Sequence, residues 1–586
     1  MLSALRTALS SVLIFNLAAS PVLMSAQQAP ADVPAMTIRA NTRLVTVDVV
    51  VTDKKGQPVT GLKAENFTLE ENGKRQKVSI FVPPGVMNKT AATPASLPPG
   101  VLSNHPENVG PSTGVPTVLL LDVCNSPFKD QTYARSQMLK YVAEQGQGGH
   151  PLAVLTLTDR VRVLQEFTSD PQVLKTAIQN LRPKEQILQS GGPVMESHGV
   201  AFGDRGGNAI ALQIQAAQQL LQGFADIQVG YDLQRRTEIT IEAMKTLARM
   251  LGGLPGRKNV VWLTASLPFD LIPEDRNVTD AELLADLPGT GRQRSVSVNA
   301  GGAYASEARQ LHGQAIKEAE VELANTNIAI YPVDLTGLMS GMESSATQQG
   351  SVYNDTAVTD RVITGLSAQQ QSQETMREVA IQTGGKAYMN QNEIKDGITL
   401  AVSDEKASYT LGYYPENKKW DGKMRSLKVK VDQGDTQLRY RKGFFALDPA
   451  QDKKANPEQD VASLLELGAP ATQVSFMAQA KPTDPGKMRV VFLVDAHTLS
   501  AEEVSGGKKV NVNLYARLYS SSGKDLGTRS LKVDHTFDAA TYQQLLDKGL
   551  MVPLDMDVPA GGQYLRLAVL DNKTGLIGTA SGTVGQ

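Results

Sequence analysis

The sequence predicts an α/β protein. A parallel-rich sheet with helices on both faces is flanked by a small β unit before it and a β-sandwich after it. Three observations carry this. Between residues 115 and 414, short apolar runs alternate with stretches of helical period, which is how parallel sheets are built. Before them, Leu44–Thr52 is dense in β-branched residues. After residue 472, short strands and turn residues recur at the spacing of a sandwich.

The 586 residues exceed one ordinary domain, at about 150 residues each. Six segments are expected: a signal peptide over 1–26, a small β domain over 38–83, a linker over 84–114, the α/β domain with insertions over 115–446, a second linker over 447–471, and a β-sandwich over 472–586. In the first segment Arg6 is the positive end, Ala8–Ala19 is apolar but too short to span a bilayer, and Met24-Ser25-Ala26 offers small residues for cleavage. No later run is apolar enough to span, so the mature chain is expected to have no transmembrane segment. The expected location is exported, in the periplasm or outside the cell.

In the small β unit, Asp53-Lys54-Lys55-Gly56 is a turn. Phe67–Glu70 and Val78–Phe81 read as a hairpin around Asn72-Gly73. Residues 84–114 are rich in Pro, Ser, Thr and Gly without apolar period. In the α/β segment, the strands are Val115–Leu121, Leu152–Thr158, Val161–Phe167, Asn259–Thr264, Ile328–Val333 and Tyr409–Tyr414. The continuous apolar runs imply strands covered on both faces. Helices are expected over Tyr133–Val142, after a Ser169 cap with Pro171, over Ala209–Phe224, Thr237–Leu251, Glu307–Ala324, Gln373–Gln382 and Ile394–Ser403. Polar or Gly-rich insertions fall near 190–208, 270–304 and 336–368. Leu427–Val431 and Leu438–Tyr440 read as a closing hairpin. Arg439, Arg441 and Lys442 read as a solvated strand face. The aromatics Tyr409, Tyr413, Tyr414, Phe444 and Phe445 read as core, with Trp420 beside them.

Composition narrows function. Lys and Arg number 58 against 60 Asp and Glu, so no field draws the chain to nucleic acid, and none is expected as a partner. The six histidines are scattered, and neither H-E-x-x-H nor C-x-x-C occurs. No G-x-S-x-G or phosphate loop is present. Cys124 is the sole cysteine, so internal disulfides are excluded and stability must come from apolar cores.

One stretch carries candidate chemistry. Leu119-Leu120-Leu121-Asp122-Val123-Cys124-Asn125-Ser126 ends an apolar strand in a carboxylate. Open α/β sheets bind ligands beyond the carboxyl ends of their strands. An aspartate there, followed by hydroxyls in a tight loop, can aim oxygens at a hard cation.

The chain resembles the exported bacterial proteins called VWFA-related domain proteins, and its middle segment a von Willebrand factor A domain. The matching stretches are Leu44-Val45-Thr46-Val47-Asp48 through Asp53-Lys54-Lys55-Gly56, Leu120-Leu121-Asp122 with Asn125-Ser126-Pro127-Phe128, Leu254-Pro255-Gly256-Arg257-Lys258-Asn259 with Trp262-Leu263, Ile330-Tyr331-Pro332-Val333-Asp334, Thr383-Gly384-Gly385-Lys386-Ala387 and Tyr409-Thr410-Leu411-Gly412-Tyr413. The resemblance implies a Rossmann-like sheet and a metal-ion-dependent adhesion site of the form D-x-S-x-S, with a later threonine and a further aspartate. Carried over, Asp122 and Ser126 match the first and last positions, and Thr237 is the threonine. Cys124 replaces a serine, and Ala265 stands where the second aspartate belongs. The metal candidates are thus Asp122, Ser126 and Thr237, in a weakened site for Mg²⁺ or another divalent cation. The alternative is that Asp122 caps the following helix. Asp122, Asn125 and Ser126 are the expected ligand contacts. The expected function is non-enzymatic binding or adhesion to an extracellular or periplasmic protein. The alternative is a structural envelope protein with no metal-dependent binding.

Overall fold

The computed structural model describes residues 44–85, 97–109, 114–145, 150–183, 231–268, 325–337, 372–391, 393–446, 457–467, 470–559 and 561–583, together with 319, 322, 323, 369 and 370. The expected signal peptide, the 190–208 insertion, the 209–224 helix, the 270–304 loop, most of the 307–324 helix and nearly all of the 336–368 insertion lie outside the described residues.

Four strands open the described residues: β1 (Val45–Asp53), β2 (Phe67–Glu71), β3 (Lys74–Gln76) and β4 (Val78–Val82). Then come β5 (Val101–Ser103) and the short α1 (Pro106–Val109). The central region holds β6 (Thr117–Asp122), α2 (Phe128–Gln145), β7 (Leu152–Leu157), β8 (Val161–Thr168), α3 (Pro171–Asn180), α4 (231–251), β9 (Lys258–Thr264), β10 (Ile328–Asp334), α5 (372–383) and α6 (Ile394–Ser403).

The central sheet has the order β10-β9-β6-β7-β8. The first four strands run parallel and β8 is antiparallel. Every residue of β6, β7, β9 and β10 is buried, as the unbroken apolar runs require. Alternate side chains feed two cores. Val118 and Leu120 of β6 meet α4, while Leu119 and Leu121 meet α2, α3 and α6. The α3 cap is Asp170, not Ser169: its carboxylate accepts from Gln172 N and Val173 N.

The β strands pair differently from the sequence expectation. β11 (Ser408–Tyr413), β12 (Met424–Val431), β13 (Thr436–Arg439) and β14 (Gly443–Phe445) join the opening strands in two sheets, β13-β1-β11-β4 and β14-β12-β2-β3. These sheets share one core containing Val47, Val49, Leu69, Tyr409, Leu411, Leu427 and Phe444. The pairing crosses the boundary expected between 38–83 and 115–446. The hairpin at Asn72-Gly73 joins β2 to β3, and β4 pairs with β11. Likewise β12 and β13 lie in separate sheets instead of forming one hairpin. Tyr409, Tyr413 and Phe444 are core, as expected, and Trp420 packs 6.3 Å from Phe444, but Tyr414 is half exposed. Arg439 and Arg441 are not a solvated face. Arg439 grips Asp404, and the buried Arg441 donates to Thr46 O.

After α7 (Pro457–Leu467) come β15 (Ala471–Thr472), β16 (Phe476–Pro482), β17 (Lys487–Val494), β18 (Glu502–Val504), β19 (Gly507–Ser520), β20 (Asp525–Phe537), α8 (Ala539–Lys548), β21 (Leu550–Asp557), β22 (Gly562–Asp571) and β23 (Ile577–Thr583). They form the sheet β15-β23-β22-β19-β18, with β20 also on β19, and the sheet β21-β17-β16-β5. The two share an apolar core. β5 comes from the stretch expected to be a linker. It pairs with β16, and Leu102 enters the core. Asn104 behind it is fully buried. Its amide donates to Ala471 O and Val474 O, each at 2.8 Å, and its oxygen accepts from Phe476 N at 2.8 Å.

Candidate functional site

Asp122 ends β6, and its parity sends the side chain toward α4. It is 0 % exposed. Its Oδ1 accepts from Asn125 N at 2.9 Å. Its Oδ2 accepts from Asn125 Nδ2 at 2.9 Å and from the Trp262 indole Nε1 at 3.0 Å. The Thr264 hydroxyl lies 3.0 Å from the same oxygen and 2.7 Å from Ser266 O, so its one proton is shared between two acceptors. Trp262 and Thr264 alternate along β9, the neighbouring parallel strand, and so reach the same side. Burial pushes the Asp122 carboxyl above its ordinary range, and the Asn125, Trp262 and Thr264 hydrogen bonds oppose that rise.

The loop over this carboxylate is tied down on every side. Val123 N and Cys124 N donate to Leu157 O at the end of β7. Gln131, on α2, donates to Ser126 O at 2.7 Å and Val123 O at 3.3 Å. Asp122 does not cap α2. Its backbone partner, Asn125, stands three residues before that helix begins.

Asp122, Asn125 and Ser126, expected to meet a ligand, are 0, 1 and 0 % exposed. None presents its side chain to solvent. The two amide protons of Asn125 go to Asp122 and to Thr240 Oγ1, the latter at 3.0 Å. Its Oδ1 is buried with no hydrogen-bond partner. Ser126 Oγ accepts from Ala265 N at 3.0 Å.

Thr237 sits elsewhere in the network. Its hydroxyl donates to Leu233 O at 2.9 Å and lies 3.4 Å from Pro268 O. The α4 threonine that meets the loop is Thr240, one turn on, and sequence reasoning missed it. Trp262 and Thr264 were missed as well, because a tryptophan in an apolar strand reads as core.

These residues do not fit a hard divalent cation. A carboxylate offers about four acceptor positions, and four donors crowd Asp122. Ala265 contributes an N–H where a carboxylate would be needed. Thr237 is turned to main-chain carbonyls, and Cys124 offers sulfur. Burial and the neighbouring Asp122 push the Cys124 thiol up to about 12, against the weaker pull of Arg236 and Arg235, which keeps the free thiol protonated and a poor nucleophile near neutral pH. A carboxylate does occur one strand further, at Asp334, in register with Thr264. It too is occupied, by Thr336 N and Oγ1 at 2.9 and 2.6 Å and by Gln373 Nε2 at 2.9 Å. Among the described residues no group of three or more His, Cys, Asp or Glu side chains is placed to hold a metal.

Beneath Trp262 lies a cavity of ≈ 10 Å³ lined by Thr240, Met244, Leu267, Ile330, Pro332 and Val379. That is room for about one water, not for a substrate. Phe128, at the start of α2, is 49 % exposed, and Tyr231 on α4 is 67 % exposed.

No protein-family model matches the chain, and no curated protein matches it. Among solved structures it is similar to an aerotolerance-related membrane protein from Bacteroides fragilis, at 12 % identity over 50 % of this chain and 100 % of that one, with a TM-score of 0.23. It is similar to BatB from Bacteroides thetaiotaomicron at 12 % identity, over 50 % and 98 %, with a TM-score of 0.22. A von Willebrand factor type A structure from Catenulispora acidiphila aligns at 10 % identity over 93 % and 73 %, with a TM-score of 0.19. Likeness at this level carries no argument about fold or function.

Proposed function

We propose that this is an exported, non-enzymatic protein-binding or adhesion module. It would act through the carboxyl-terminal edge of a von Willebrand factor A-like sheet that is flanked by a small β domain and a β-sandwich and carries a degenerate metal site. The observation that supports this most is the contrast at that edge. The Asp122 loop is braced from below by buried hydrogen bonds, while Phe128, the first residue of α2 and two places past Ser126, is half exposed. A rigid base under an exposed aromatic is how binding surfaces present anchors. Catalysis would need a solvent-accessible acid, base or nucleophile; Asp122 is fully buried, and the partly buried Cys124 thiol is held protonated.

The test is site-specific photo-crosslinking from position 128 in the producing cell, with exposed Lys418 as the control position. A discrete adduct at 128 alone supports the reading, and equal or absent adducts at both positions defeat it. A structural envelope role is the second reading, favoured by the complete set of partners on Asp122. It predicts no adduct at 128 and loss of folded protein when the loop is disturbed.

A further inference from the structure

We propose that hydrogen-bond donors of this chain stand in for a divalent cation on Asp122, so that the edge it supports engages its partner without metal. This deepens the binding reading above and rests on it for the word partner. The lock itself stands on geometry alone.

Asp122 is fully buried, and a buried carboxylate must be neutralised or fully hydrogen-bonded. Here backbone N–H, amide N–H, indole N–H and a shared hydroxyl do that at 2.9–3.0 Å. The need is mutual. Trp262 is 2 % exposed within an apolar core, where its indole N–H requires an acceptor, and Asp122 Oδ2 is that acceptor. Asn125 spends its second amide proton on Thr240, tying the loop to α4. Around this lock, the positions from which a cation would draw oxygen deliver something else. Ala265 gives an N–H that Ser126 Oγ accepts, and Thr237 turns to carbonyls. A cation entering at Asp122 would displace three N–H donors at once, and Mg²⁺ would surrender hydration waters in exchange for positions already filled.

The experiment is calorimetric titration of the full chain with Mg²⁺, Mn²⁺ and Ca²⁺, beside melting temperatures in Mn²⁺ and in chelator, for wild type, Trp262→Phe and Asp122→Ala. The expected result is no saturable heat for wild type and one Tm whatever the cation. Trp262→Phe should lower Tm by a few degrees, equally in Mn²⁺ and in chelator. Saturable Mn²⁺ uptake by wild type that Asp122→Ala abolishes overturns the proposal. The two readings fail separately. A position-128 adduct that forms only with Mn²⁺ sinks the lock and leaves binding intact. A missing adduct with a silent titration sinks binding and leaves the lock.

Discussion

The guanidinium of Arg257 donates to the phenolic oxygen of Tyr331 at 2.8 Å, and that hydroxyl donates in turn to Asp404 Oδ2 at 2.6 Å. Arg257 also donates to Gly384 O at 2.7 Å and to Asn259 Oδ1 at 3.1 Å. Asp404 holds Arg439 through both oxygens. Three stretches singled out in the sequence, Leu254–Asn259, Ile330–Asp334 and Thr383–Ala387, thus meet at one buried joint with Asp404, in the segment leading into β11. The joint lies where the amino-terminal end of β9 faces the β1–β11 sheet, away from Asp122. Those residues hold sheets together.

Lys258 gives the joint a pH signature. It is 3 % exposed, its ammonium donates to Leu254 O at 3.0 Å, and burial pushes its pKa down to about 8, with Asp48 opposing the fall and Arg441 adding to it. A cation with a depressed folded pKa adds stability fully above its unfolded value, here 10.5, and loses it as pH falls through about 8. Wild type should therefore gain on Lys258→Met by on the order of 3 kcal/mol between those limits. Urea unfolding of both across that range checks it. A flat difference would mean the amine is not desolvated.

Gly385 is fixed by close approach. A Cβ there would stand 1.9 Å from Ile330 O, a main-chain atom in β10. Gly385→Ala should cost at least about 3 kcal/mol or prevent folding. Gly422 has positive φ but open space around it, so Gly422→Ala should cost only about 1 kcal/mol. Parallel urea titrations give the contrast.

Cys124 should be inert while the protein is folded. With its pKa raised from 9.0 to about 12, its thiolate fraction near neutral pH falls roughly 1,000-fold. Labelling by a thiol-disulfide reagent should be slower by that order than in urea. Rapid labelling of the native chain would show that the thiol is not held protonated in the folded protein.

Asn104→Ala should weaken the β5–β16 attachment. It strips partners from two carbonyls and one N–H that are otherwise buried, at a cost of about 2–4 kcal/mol. Hydrogen exchange should rise first at Phe476 and along β16, with β6 and β9 unchanged.

How much of this could be read beforehand depends on the range of the interaction. β6, β9 and β10 were legible because a strand covered on both faces is a continuous apolar run. Asp122 was legible because it breaks one. β5 was not, since three residues in a Pro- and Ser-rich stretch leave no period, and the strand exists only because β16 lies beside it. That Thr240 and not Thr237 meets the loop has a geometric reason. α4 is already helical at 231, so Thr237 is an interior residue and not the helix opening. Both threonines are buried, and only the register of the loop selects the second. The partners of β1 left no local mark at all.

That last pairing has a temporal consequence. The Asp48 carboxylate meets the Thr410 hydroxyl 362 residues later in the chain. At about 5–20 residues per second of synthesis, the valine-rich β1 emerges some tens of seconds before its neighbour exists. Meanwhile β6, β7 and β8 can already pair. Until Tyr413 arrives, β1 is an apolar strand with both edges open, the kind of segment that aggregates. Yield during expression should therefore respond most to whatever shields residues 45–53 from their own copies on neighbouring nascent chains, and least to the strength of the central core.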